Sequence, residues 1–155
     1  RQDGAGNNQY LLRKVLKDGG ATLAEVLGEA EATAEQLCST TGLSELGDSL
    51  GEAVANLRAS SRYLLDNRED AFIALNAATP FMHQAGCLLG GWQLGRAALL
   101  ANTAVEEGRD GDGFYTAKLH TARFYMRHIL PRMNAYTPAI CGGSDELEAI
   151  EERHW

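Results

Sequence analysis

Between Ala71 and about Glu107, apolar residues recur at steps that are almost all three or four: Ala71, Leu75, Ala78, Met82, Ala85, Leu89, Trp92 and Leu99. A run this long with a helical period leaves little room for a sheet, because a half-buried strand alternates at every second residue. It requires long helices that bury their stripes against one another. Pro80 falls inside the run, which predicts a kink or a short break near Ala78.

The rest of the chain follows the same period. A first segment, Asn7 to about Lys17, sets Tyr10, Leu11, Val15 and Leu16 on one side and ends at Asp18–Gly20. Thr22, with Glu25 three residues on, matches a capping box for a second helix. Its stripe is Leu23, Val26, Leu27, Ala30, Ala34 and Leu37, and Thr40–Gly42 closes it. Ser44 then caps a helix to about Asp66, whose seam is Leu46, Leu50, Ala53, Leu57 and Leu64. After the long run, the loop Glu106–Gly113 leads into a helix from Phe114 to about Ile140, which Pro131 is expected to bend. Three long helices plus a broken N-terminal one predict an all-α, up-down four-helix bundle. The expected organisation is a polar start over 1–6, reading as a cut interdomain linker, a bundle over 7–142 and an acidic tail over 143–155, which Ser144 could cap as a short helix.

Composition narrows the function classes. The 155 residues suffice for one domain with a real core, and a 45% hydrophobic content fits a globular chain. With 21 acidic against 14 basic residues, the balance argues against a nucleic-acid reader. No apolar run approaches the ~20 residues of a membrane span. The three cysteines, Cys38, Cys87 and Cys141, form no CxxC pair and point to a reducing cytoplasm.

No catalytic motif stands out. The histidines His83, His120, His128 and His154 are all more than four residues apart, so a ferritin-like metal site is not expected. Neither a Gly-x-Ser-x-Gly elbow nor a Walker loop occurs. Gly86, Gly90, Gly91 and Gly95 lie in one helical register and are best read as a place of close helix approach. Arg96 falls near the middle of the arc set by Leu89, Trp92 and Leu99. An ion pair with a carboxylate on another helix, such as Glu52 or Asp66, is favoured there over an anion contact at the bundle edge. On the last long helix, Tyr115, Leu119, Ala122, Met126, Ile129, Leu130, Met133 and Tyr136 share an inward arc. Arg123, Arg127 and His120 face the other way with Phe124 beside them. Such a face is commonly just solvated, but an outward aromatic among arginines tips it toward docking.

Two stretches add a family resemblance. Cys87–Ala101 (CLLGGWQLGRAALLA) and Phe114–Met133 (FYTAKLHTARFYMRHILPRM) resemble the extra C-terminal helical domain of bacterial acyl-CoA dehydrogenases, the branch that includes 3-methylmercaptopropionyl-CoA dehydrogenases. The run Thr121-Ala122-Arg123-Phe124-Tyr125 followed by Leu130-Pro131 is its most specific part, and Trp92 and Arg96 fit on the preceding helix. The resemblance implies that FAD, the acyl-CoA and the catalytic glutamate belong to preceding domains, so none of this chain's residues is expected to be catalytic, cofactor-binding or metal-binding. It further implies packing on those domains or across a homodimer; the charge balance and the lack of a long apolar run add the expectation of no nucleic-acid or membrane partner. The residues alone leave open a stand-alone bundle that binds a small anion or a partner helix through Arg96, Arg123, Phe124 and Arg127.

Overall fold

The computed structural model describes residues 17–143, with Asp145 and Ala149 beyond them. These residues form α1 (Ala21–Ser39), α2 (Ser44–Asp66), α3 (Ala71–Glu106), α4 (Phe114–His128), a 3-10 segment (Leu130–Tyr136) and a short α5 (Thr137–Cys141). No strand occurs among the described residues. The helix expected from Asn7, the polar start and the tail helix capped by Ser144 lie outside them.

The contacts between helices define an up-down order. On α1 and α2, Glu31 meets Arg58 while Ala34 and Cys38 meet Gly47, so the pair runs antiparallel. Leu50 of α2 approaches Gly95 of α3, and Asn56 meets Gln84, again antiparallel. On α3 and α4, Gly95 lies by Met126 and Gly90 by Tyr125, and Gly91 meets Leu130 just beyond α4. Leu37, Leu50, Leu57, Leu88 and Met133 are each almost completely buried in the shared core, and each such side chain contributes about 1.5–3 kcal/mol of burial free energy.

The α2 seam forms as its spacing predicts, with all five of its residues buried. In α1, Leu27, Ala30, Ala34 and Leu37 are buried, and Leu23 and Val26 pack partly against the core. The α3 register differs from expectation. The buried line includes Ile73, Ala77, Phe81, Gln84, Leu88, Gly91, Gly95 and Ala98, shared with Ala78 and Trp92. Leu75, Met82 and Leu89 are instead 42–44% exposed. Between Ala71 and Val105, α3 carries a single arginine and a single histidine and no acidic residue. With no charged face to mark the solvent side, two apolar stripes competed, and the one with the smaller residues went inside.

Those small residues set the helix spacing. A Cβ on Gly95 would sit 3.0 Å from Leu37, one on Gly91 3.2 Å from Leu130, and one on Gly90 would meet the Tyr125 hydroxyl. Tyr125 uses that hydroxyl to donate to the Cys87 carbonyl at 3.0 Å. The close approach expected from the glycine pattern is therefore present at three of its four positions.

Neither side-chain cap expected from the sequence forms. Asp18 replaces Thr22 in that role: its Oδ2 accepts from the Thr22 amide at 2.9 Å and the Thr22 hydroxyl at 2.6 Å. The turn runs through Gly20, at φ 81°, so the carboxylate reaches back from outside the helix. Helix α2 starts without a side-chain cap, its N-cap being Leu43. Helix α3 passes Pro80 without a break. The carbonyl that loses its partner belongs to the exposed Asn76, where the cost is small. Pro131 has the larger effect. The fourth helix ends at His128, and the chain continues as the 3-10 segment and α5.

A polar knot centred on the buried Gln84 holds that broken end. Gln84 Nε2 donates to Asn56 Oδ1 at 3.2 Å, to Thr137 Oγ1 at 3.1 Å and, at a longer 3.4 Å, to the Met133 carbonyl. Thr137 in turn donates to Asn56 at 3.0 Å, and Asn56 to Asn134 at 2.6 Å. Side chains of α2 and α3 thus anchor the 3-10 segment and α5, and Gln84 also gives the Met133 carbonyl a partner.

Candidate functional site

Helix α4 begins on another carboxylate. Asp110 accepts from the Tyr115 amide at 2.7 Å and the Thr116 amide at 3.1 Å, while Gly113 makes the turn at φ 76°. The Thr116 hydroxyl and these two amides hold the Asp110 carboxyl below its ordinary range. From that start, Leu119, Ala122 and Met126 turn inward. Tyr115, Ile129 and Tyr136 are half-buried.

The outward residues proposed for docking take different roles. Arg123 is half-buried, and its Nη2 donates to the Gly42 carbonyl in the α1–α2 turn at 3.3 Å. Arg127 pairs with Glu45 in the first turn of α2 at 2.9 Å. Both arginines therefore fasten α4 to the neighbouring helices. Their side chains lie at the exposed edge of the bundle, where such an ion pair contributes less than about 1 kcal/mol. Phe124 stays 59% exposed with its ring against His128, centroids 4.8 Å apart. Lys118 covers the Phe114 ring at 5.2 Å.

Arg96 lies on the exposed side of α3, outside the buried arc where the sequence placed it. Its guanidinium stands over the Trp92 ring, 5.7 Å from the centroid, and bonds Gln93 at 3.4 Å. Glu52 and Asp66 are not its partners, and among the described residues no salt bridge engages it. The expected ion pair followed from the wrong α3 register. Trp92 itself is 9% exposed and donates from Nε1 to Thr33 on α1 at 2.9 Å.

Two grooves of the bundle are acidic. One between α1 and α3 is lined by Glu35, Gln36, Asn102 and Glu106, and one between α1 and α2 by Glu31, Glu35, Asp48 and Glu52. Neither offers a cation to a phosphate or carboxylate ligand. Cys38, at the second groove, has its thiol pKa pushed up by desolvation and by the neighbouring Asp48, the opposite of what a nucleophilic thiol needs. Among the described residues, no group of three or more His, Cys, Asp or Glu side chains is placed to hold a metal. No helix among them is long and apolar enough to cross a membrane.

The surface that sequence reasoning missed is the outward side of α3. Phe72, Leu75, Met82, Leu89 and Leu100 are 42–74% exposed. The signal was visible as a second apolar period in that helix, but three of these residues had been assigned to the core.

Comparison with known proteins converges on one family. Residues 12–151 match the family model described as acetyl-CoA dehydrogenase C-terminal like. The chain is 32% identical over 142 residues to the 3-methylmercaptopropionyl-CoA dehydrogenase of Ruegeria pomeroyi, covering 90% of this chain and 24% of that protein. It is 24% identical over 152 residues to the broad-specificity linear acyl-CoA dehydrogenase FadE5 of Mycobacterium tuberculosis, covering 92% of this chain and 25% of that protein. The chain thus spans about a quarter of the length of the curated relatives it matches.

Proposed function

Because the chain belongs to the acetyl-CoA dehydrogenase C-terminal-like family, we propose that it serves as the accessory C-terminal helical domain of an FAD-dependent acyl-CoA dehydrogenase, packing on the catalytic domains of its own polypeptide or across a dimer. The observation that supports this most is the match over residues 12–151 to a domain that makes up about a quarter of each dehydrogenase relative. In this reading the bundle spans 7–142, flanked by a linker over 1–6 and a tail over 143–155, and the polypeptide works in the cytoplasm. FAD supplies hydride acceptance in the parent enzyme, and a carboxylate of the preceding domains removes the α-proton. This chain contributes no catalytic, flavin-binding or metal-binding residue. Its work is to present a fixed helical surface.

For the alternative, a stand-alone bundle that binds a small anionic ligand or a partner helix, Arg96 has no salt bridge among the described residues, but the anion-binding half finds fewer free cations. Arg123 and Arg127 are occupied by Gly42 and Glu45, and the two grooves carry carboxylates. Reading the genomic frame upstream of Arg1 tests the proposal. It is expected to encode flavin- and acyl-CoA-binding domains, and a frame without them contradicts it. Calorimetry of CoA and acyl-CoA against the isolated chain is expected to give no heat at millimolar ligand. Saturable binding would restore the anion-binding reading.

A further inference from the structure

The outer side of α3 has the pattern of a helix-packing seam. Leu75, Met82, Leu89 and Arg96 follow one another at sevens, and Phe72, Gly86 and Leu100 fall on the interleaved sevens, with Thr79 and Gln93 completing that line. Every one of these positions is exposed in the bundle. Alternate steps of three and four sustained over this length form the seam that a second helix packs along. Solvated helices normally carry charge on such a face, and this one has Arg96 alone.

Gly86 supplies an independent observation. Gly90, Gly91 and Gly95 each make room for a side chain of the bundle, whereas a Cβ on Gly86 would meet nothing within 4 Å. A glycine inside a helix costs about 1 kcal/mol relative to alanine, and no contact among the described residues accounts for it. Its place is the middle of the exposed seam, where lack of a side chain lets another helix come close.

Charge selects the occupant. Between Ala71 and Val105, α3 has no acidic residue. A second α3 docked symmetrically about Gly86, or in parallel register, therefore leaves Arg96 without a counter-charge. Antiparallel pairing about Gly86 sets it against Asn76, and in-register parallel pairing sets it against Arg96 of the other copy. The dehydrogenase relatives have three quarters of their length outside this domain, and covalent linkage holds such a neighbour at high effective concentration. We propose that the outward face of α3 docks a helix of the preceding catalytic domains, one with an apolar seam and a carboxylate opposite Arg96. This rests on the domain assignment above.

Hydroxyl-radical footprinting read by mass spectrometry tests it without altering the fold. Oxidation of Met82, Phe72 and Leu89 is compared between the 155-residue chain and the full-length parent enzyme. Burial at an interface core predicts oxidation about fivefold slower or more in the parent, and Arg96→Glu in the parent is expected to restore much of the rate. Equal rates in the two proteins overturn the inference, as does protection confined to Phe124, which would assign docking to α4. Met82 protection that grows with concentration of the isolated chain makes a second copy the occupant and also overturns it. In each case an upstream frame with the catalytic domains leaves the family reading standing, whereas a frame that lacks them removes that reading itself.

Discussion

Single glycines in this domain have opposite roles, and their substitutions should have opposite signs. Gly47 lies where α1 and α2 nearly touch: an added Cβ would sit 2.6 Å from both the Ala34 carbonyl oxygen and the Cys38 amide nitrogen. Backbone cannot yield there, so Gly47→Ala is expected to lower stability by about 1–3 kcal/mol. Gly86→Ala is expected to raise the stability of the isolated chain by about 0.5–1 kcal/mol through helix propensity. Thermal melts of the two variants check both, and a destabilised Gly86→Ala would contradict the view that nothing among the described residues needs that glycine. The sequence identified the glycines as a packing motif. It could not separate Gly86 from the other three, because only the positions of Tyr125, Leu130 and Leu37 distinguish them.

Carboxylates also act at this scale. Asp18 and Asp110 both have lowered pKa values, caused first by the side-chain hydrogen bonds from Thr22 and Thr116. A carboxylate whose folded pKa lies below its unfolded value adds stability above the unfolded pKa and loses it as pH falls through the folded one. The Asp18→Asn/Asp110→Asn variant should therefore melt below the parent chain at neutral pH. The difference should close as pH falls below the ordinary aspartate range and through the lowered folded values. Melting curves from pH 7 to pH 2 check this, and a gap that is constant with pH would contradict it. Asp18 was passed over in the sequence because Thr22 with Glu25 matched a capping box. Both helix starts instead use an aspartate that reaches across a left-handed glycine.

Among the elements, legibility followed charge contrast. Helix α2 sets its leucines against Glu45, Asp48, Glu52, Arg58 and Arg62, so its buried side could be read directly. Helix α3 lacks that contrast and was read in the wrong register. The fourth helix was expected to bend at Pro131; it stops at His128, and the 3-10 segment that follows has polar partners on α2 and α3. Those partners converge on Gln84, which is fully buried. Gln84→Leu keeps the volume and removes the donor, so it should cost about 1–3 kcal/mol. The loss should fall on residues 130–141. Amide hydrogen exchange is expected to quicken there more than in α1, and a uniform increase across the bundle would contradict the role assigned to this knot.

For the whole molecule, the architecture follows from spacing, and the functional assignment comes from kinship. An apolar period of three and four predicts a bundle whatever the bundle serves. Family membership then identifies a domain that forms about a quarter of dehydrogenase relatives. The proposed docking surface was legible only in part. Phe124 is 59% exposed, Arg123 and Arg127 bond Gly42 and Glu45 at the exposed edge of the bundle, and the larger exposed apolar face lies on α3. The central claim is that this chain supports a flavoenzyme without sharing its chemistry. Cleaving the parent enzyme at a protease site introduced ahead of Arg1, then separating the two pieces, tests it most directly. The account predicts that all the flavin absorbance stays with the other piece and that the 155-residue chain emerges folded, helical and colourless. Flavin retained by this chain would contradict it.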